Sequence, residues 1–239
     1  MTRETSDSYR DISDSEIIRV PVPQLLVEPF QVADRFAQGP FYLVGSCVSR
    51  CILGESEFPN DVDFLGNFDL ERIESFFGNH VIGKSNPSGI VRVLQGDKEI
   101  DFMSFPNIRS KLEIMDITIT LLCMDKFGIV YDPLNYIDDL RNQRIRIENA
   151  DQKIQIEPWR IIRVLRFVAS FGYEVEGLTK EACIKNASLM DPENENTKYT
   201  LGKLRGSGVE VTQKVLQIAE EFGILGFVSN LIADGRKYE

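Results

Sequence analysis

Apolar positions in this chain follow two different periods, and the change from one to the other divides it. Phe41-Tyr42-Leu43-Val44 is a compact run of β-favouring residues that stops at Gly45-Ser46, after which Val48, Cys51 and Ile52 recur at helical spacing up to Gly54. That pattern predicts a strand, a tight turn and a helix. Beyond Pro59, the segment Asp61-Val62-Asp63-Phe64-Leu65 alternates acids with apolar residues, so as a strand it sends both carboxylates to one face. Asp69 is placed to cap a helix whose Leu70, Ile73, Phe76 and Phe77 share a side. Ile90 to Leu94 and Glu99 to Phe105 read as two strands joined through Gly96-Asp97.

From about residue 136 the period becomes helical. Pro158 suits a first helical turn, and from Trp159 to Phe171 the residues Ile161, Val164, Leu165, Val168 and Phe171 gather on one arc, with Arg163 and Arg166 opposite and Arg160 on the flank. Further helices are expected over 179–189, 208–222 and 224–233. Residues 1–30 carry charged runs with Pro21 and Pro23 and read as a polar leader, extended near Val20 to Leu26. The expected organisation is leader 1–30, a mixed α+β domain 31–140 and an all-helical domain 141–239.

Composition narrows the class. The 239 residues, 43% of them apolar, suffice for one substantial core with a smaller satellite, and a net charge of −10 excludes a generally basic nucleic-acid coat. A local basic groove remains open, because residues 141–166 hold seven basic groups against three acids. No apolar stretch approaches the roughly 18–20 residues needed to span a bilayer, and the N-terminus is polar where a signal peptide would be apolar. A cytoplasmic protein without membrane contact is expected. Cys47, Cys51, Cys123 and Cys183 are too scattered for a disulfide framework. With His80 as the only histidine a zinc site is not expected either, and Cys47 and Cys51 read as small apolar residues.

Chemistry concentrates in three pieces: the Gly45-Ser46 turn, the Asp61-x-Asp63 pair, and Glu99 with Asp101 on a later strand. Carboxylates two apart on a strand face stand about 7 Å apart and can hold or bridge hard divalent cations, while a small-residue turn lets backbone N–H groups approach phosphate. The combination suits metal-dependent transfer on a nucleoside triphosphate. Glu99 and Asp101 share a face, so spacing alone does not choose the third acid.

The run Tyr42-Leu43-Val44-Gly45-Ser46-Cys47-Val48-Ser49-Arg50-Cys51-Ile52-Leu53-Gly54, with Asn60-Asp61-Val62-Asp63-Phe64 after it, resembles the first motif of the tRNA nucleotidyltransferase and poly(A) polymerase family, LVGGxVRDxLLG…DxDF. Met115-Asp116-Ile117-Thr118-Ile119-Thr120-Leu121-Leu122 is similar to the family's RRDFTINAL, Gly128 to Pro133 to its GxIIDP, and Asp139-Leu140 to the DL that follows. Ile156-Glu157-Pro158-Trp159-Arg160 through Phe167, and then Phe171 to Glu176, resembles EDPLRILRAIRF…LGFxIE. The likeness covers about residues 41–180.

The resemblance implies a DNA-polymerase-β-type palm, a mixed sheet with flanking helices, followed by a small helical neck, with body and tail domains not expected. It implies Asp61 and Asp63 as catalytic Mg²⁺ ligands, with Asp101 or Glu99 as the third acid. Gly45, Ser46, Asp116, Glu157, Arg160, Arg163 and Arg166 become nucleotide-contacting residues, Glu157 and the arginines facing base or phosphate. The implied reaction is template-independent transfer of AMP or CMP from ATP or CTP to a 3′-hydroxyl, expected to be that of RNA. Two alternatives stand beside it: a protein or small-molecule hydroxyl as acceptor, and a catalytically weakened nucleotide-binding regulatory homologue.

Departures from the family pattern motivate those alternatives. Ser46 stands for the second glycine, Ser49-Arg50 for Arg-Asp, Ile114 and Met115 for the paired arginines, and Thr120 for asparagine. Arg50, Arg109 or Lys111 are the cations available to compensate. Residues 151–239 balance 12 basic against 13 acidic groups, so no long RNA-gripping surface is expected there.

Overall fold

The computed structural model describes residues 18–85, 89–105 and 107–234. The chain divides into two compact units, residues 18–115 with 119–137, and residues 116–118 with 138–234.

In the first unit the elements run β1 (Ile18–Arg19), α1 (Gln24–Phe36), β2 (Ala37–Val44), α2 (Ser46–Leu53), β3 (Asp61–Phe68), α3 (Leu70–Phe77), β4 (Val81–Ser85), β5 (Ile90–Gln95), β6 (Lys98–Ser104), α4 (Ile108–Ile114), β7 (Cys123–Met124) and β8 (Ile129–Tyr131). The strands form one eight-stranded sheet in the order β1-β8-β7-β2-β3-β6-β5-β4. Only β3 and β6 pair in parallel; the other neighbours are antiparallel.

The two faces of this sheet differ in chemistry because of the period of two. Val62 and Phe64 pair with Ile100 and Phe102 on one face, where Phe30 and Phe36 of α1 make edge contacts with Phe64 and Phe102. On the opposite face Tyr42, Val44, Leu65 and Met103 pack beneath Ile108 and Leu112 of α4, with Leu121 and Cys123. Asp61, Asp63, Glu99 and Asp101 share that second face, at the end where β2 stops and β3 starts. There Val44 pairs with Asp63. The apolar cluster thus anchors the far part of the face and the acids occupy its margin.

Asp69 caps α3 as expected, accepting from the Arg72 N–H at 3.0 Å. The β5–β6 turn is a two-residue hairpin, with Gln95 opposite Lys98 and Gly96 at φ +62°.

The expected leader is corrected in part. Residues 1–17 lie outside the described residues, and Gln24–Phe36 is a helix burying Leu26, Phe30, Ala33 and Phe36. Pro21 and Pro23 suggested an extended leader. Pro23 in fact precedes the helix, and Pro29, inside it, forfeits one hydrogen bond while the aromatic face gains a full layer of contacts. Strand β4 was not anticipated, and β2 and β3 are longer than their apolar runs.

The second unit contains α5 (Ile137–Arg141), β9 (Arg144–Ile145), α6 (Ala150–Ile156), α7 (Arg160–Phe171), β10 (Glu174–Val175), α8 (Gly177–Asn186), α9 (Glu195–Gly206), α10 (Val209–Glu221) and α11 (Leu225–Asp234), with α5 starting on the boundary residue. Helix α9 was not foreseen, since its buried face is Thr197, Thr200, Leu201 and Leu204, half of it threonine. Pro158 lies in the turn just before α7. That helix is buried more widely than one arc, because Ile162 and Phe167 are enclosed as well.

Among the described residues no helix is long and apolar enough to cross a membrane.

Candidate functional site

In the first unit the sheet register sets the acids. Asp61 pairs with Glu99 and Asp63 with Asp101 across the parallel strands, so four carboxylates stand on one face in two adjacent rows about 4.8 Å apart. Next to them is the turn entering α2. Gly45 adopts φ +81° and ψ −165°, a conformation open essentially to glycine alone, and a Cβ built there would lie 2.6 Å from Asp63 Oδ2. The missing side chain leaves the Asp63 carboxylate its place.

Two buried hydrogen bonds hold that turn. The Gly45 N–H donates to the Thr120 carbonyl at 3.0 Å, and the Ser49 hydroxyl, wholly buried, donates to the Ile119 carbonyl. Thr120 serves here through its main chain, which any residue could supply.

Cys47 follows the turn. Burial first, and then the charges of Asp63 and Asp61, push its thiol well above the usual range, so it is a packed, protonated side chain beside the acids. All four cysteines are buried and unlinked.

Of the two candidates for the third acid, Asp101 is engaged by a guanidinium. Arg92, directly opposite Asp101 on β5, places Nε on Oδ1 and Nη2 on Oδ2, both at 2.5 Å. Among the described residues no group of three or more His, Cys, Asp and Glu is arranged to hold a metal ion. Asp61, Asp63 and Glu99 complete the acidic face, hard oxygen donors with the side-chain-free turn at Gly45 beside Asp63. Such a set fits a divalent cation that takes its other positions from water and phosphate oxygens.

The cations expected to compensate for the missing arginines are already occupied. Arg50 pairs with Glu55, Arg109 with Glu113 at 3.3 Å, and Lys111 sits over the Phe105 ring at 4.3 Å.

In the second unit Asp116 is the central residue. Only 2% exposed, it accepts on Oδ1 from the Ile117 N–H at 2.8 Å and from Arg163 Nη2 at 3.2 Å, while its Oδ2 lies in ion-pair contact with Arg163 Nε at 2.8 Å and Arg160 Nη1 at 3.1 Å. Burial would raise its carboxyl, but the charges of Arg163 and Arg160 and the Ile117 hydrogen bond outweigh that and hold it below the usual carboxylate range.

Arg160, 6% exposed, also reaches the more open Glu157, with Nε on Oε2 at 3.0 Å. A wet polar helix face is therefore the wrong description of α7 at this residue. Trp159 lies against both guanidiniums, 5.1 Å from Arg160 and 6.0 Å from Arg163. The Arg166 guanidinium lies over the Phe167 ring at 5.1 Å.

The basic stretch 141–166 is more neutral in space than along the chain. Asp139, 1% exposed and just outside that window, takes both Arg144 and Arg146, and Asp138 takes Arg141.

Over 179 residues the chain is 27% identical to the CC-adding tRNA nucleotidyltransferase of Shouchella clausii, covering 74% of this chain and 47% of that protein. It is 25% identical over 178 residues to the CCA-adding enzyme of Streptococcus pyogenes, covering 66% and 44%. This chain is similar in sequence to tRNA nucleotidyltransferases. It spans about half the length of the curated relatives it matches.

The fold agrees. A CCA-adding enzyme solved with ATP superposes with a TM-score of 0.66 at 19% identity, over 85% of this chain and 52% of that one. The Bacillus stearothermophilus CCA-adding enzyme in complex with CTP gives 0.65 at 22%, over 83% and 53%. The α+β palm with a helical domain, expected from the motifs, is the architecture found. No family model matches the chain.

Proposed function

We propose that this protein is a template-independent nucleotidyltransferase that moves AMP or CMP from ATP or CTP to the 3′-hydroxyl of an RNA, in the manner of its tRNA-acting relatives. The observation that carries the proposal is the pairing of Asp61 and Asp63, on one strand face, with the side-chain-free turn at Gly45, because these are the parts that a triphosphate and its cation require. A divalent cation held by Asp61 and Asp63 would neutralise phosphate charge and activate the acceptor hydroxyl.

The chain's own residues do the positioning. Gly45 keeps the approach to Asp63 open, and Ser46 with the first N–H groups of α2 offers donors to phosphate oxygens. Glu157 and Arg160 read the base: a carboxylate accepts from an exocyclic amine, and a guanidinium held by Asp116 donates in a fixed plane. Asp116 and Arg163 serve this edge indirectly, by fixing Arg160 from below.

The test is incubation with α-labelled ATP or CTP, Mg²⁺ and an RNA pool. Label on RNA that disappears in the Asp61→Ala/Asp63→Ala double variant, with folding retained, is the expected result. Residual transfer in that variant would remove the assignment of these two acids, and label on protein or a small metabolite would move the acceptor to another class.

A further inference from the structure

Arg92 belongs to none of the motifs above, yet it lies in the row of acids. The register sets Asp63, Asp101 and Arg92 side by side across β3, β6 and β5, and residues directly opposite in adjacent strands project to the same face. Four carboxylates on two neighbouring strands repel one another unless positive charge is supplied. For Asp101 the supply is internal. A planar guanidinium, charged at any accessible pH, is forked onto both of its oxygens, and the two side chains are only 23% and 12% exposed. A divalent cation approaching those oxygens would meet the guanidinium charge at close range. The neighbouring Asp63 instead abuts the space left by Gly45.

We propose that Arg92 is a resident counter-cation that withdraws Asp101 from metal coordination on the acidic face. Arg92 is then a positioning residue. It fixes the charge of the acidic face and the number of cations the protein takes up before any nucleotide arrives. The proposal rests on the metal role given above to Asp61 and Asp63.

Mn²⁺ binding to the full chain without nucleotide, followed by the loss of the free-ion paramagnetic resonance signal, separates the two. The wild-type protein is expected to bind Mn²⁺, Asp63→Asn to lose it, and the charge-balanced double change Arg92→Leu/Asp101→Asn to leave affinity near that of the wild type. Arg92→Leu, which frees Asp101, should raise affinity by about tenfold or add a second equivalent, and Arg92→Lys should stay near wild type. Adding Asp101→Asn to Arg92→Leu should cancel the gain.

A fall of about tenfold in the Arg92→Leu/Asp101→Asn double variant would overturn the inference while sparing the two-aspartate site, as would Arg92→Leu binding like wild type. Wild-type protein that takes up no Mn²⁺ would instead overturn the metal reading itself, and this proposal with it.

Discussion

Arg160 Nη1 lies 3.1 Å from Asp116 Oδ2, and both side chains are almost wholly enclosed, so each charge in this pair depends on the other. Removing one member of such a pair is far costlier than its net worth, because the survivor stays buried and uncompensated. Asp116→Asn is expected to destabilise the helical unit by about 3–5 kcal/mol in urea melts. Arg163→Met, at a more open position, should cost less. Equal losses for the two would remove Asp116 from its central role.

Acid should weaken the same cluster. The folded-state pKa of Asp116 is lowered from 3.8, so the unfolded chain takes up its proton first as pH falls. The stabilisation is therefore complete above pH 3.8 and is lost as pH drops from there through the lower folded value. Chemical denaturation from pH 6 downward should show this loss in the wild type. In Asp116→Asn that part of the profile should flatten, and an unchanged slope would show that other carboxylates account for it.

Gly45→Ala and Gly54→Ala form a matched pair. Both glycines have positive φ, +81° and +68°, but a Cβ at Gly54 meets nothing within 4 Å whereas one at Gly45 meets the Asp63 carboxylate at 2.6 Å. Gly54→Ala should cost about 1–2 kcal/mol of stability from the left-handed backbone alone and leave nucleotide transfer intact. Gly45→Ala should cost about 1–3 kcal/mol and abolish transfer as well. Comparable activity in the two variants would dissociate Gly45 from the acids.

Ser49 stands at the position of the arginine in the motif this segment resembles, and its hydroxyl is buried against the Ile119 carbonyl. Ser49→Ala should cost about 1–3 kcal/mol by thermal or urea denaturation. Ser49→Arg, although it restores the family residue, should be worse, because a charge would enter a space with no exposure. A stable Ser49→Arg protein with raised activity would show that the surrounding structure can open at this point.

Much of the first unit could be read from the sequence because its signals are local. The strand at Phe41–Val44, the turn at Gly45, the cap at Asp69 and the hairpin at Gly96-Asp97 each depend on residues within a few positions of one another. The common face of Asp61 and Asp63 follows from the strand period alone. Arg92 was legible too: a two-residue turn at 96–97 puts Arg92 opposite Asp101, counting equal steps back and forward. Helix α1 was missed because prolines were weighed above the spacing of Leu26, Phe30 and Ala33. Helix α9 was missed because threonine gives no apolar period.

The strand period and the short turns, encoded by neighbours along the chain, determined that Asp61 and Asp63 share a face, that Gly45 opens beside a helix start, and that Glu157 precedes an arginine-bearing helix. Tertiary structure alone decided the partners. The parallel register of β3 with β6 brings Asp63 beside Asp101, and the chain splits between Thr118 and Ile119, so that Asp116 is buried under Arg160 and Arg163 while Ile119 and Thr120 hold the Gly45 turn. Such contacts join residues tens of positions apart, and only the burial that the whole fold imposes makes a charge choose one partner over another.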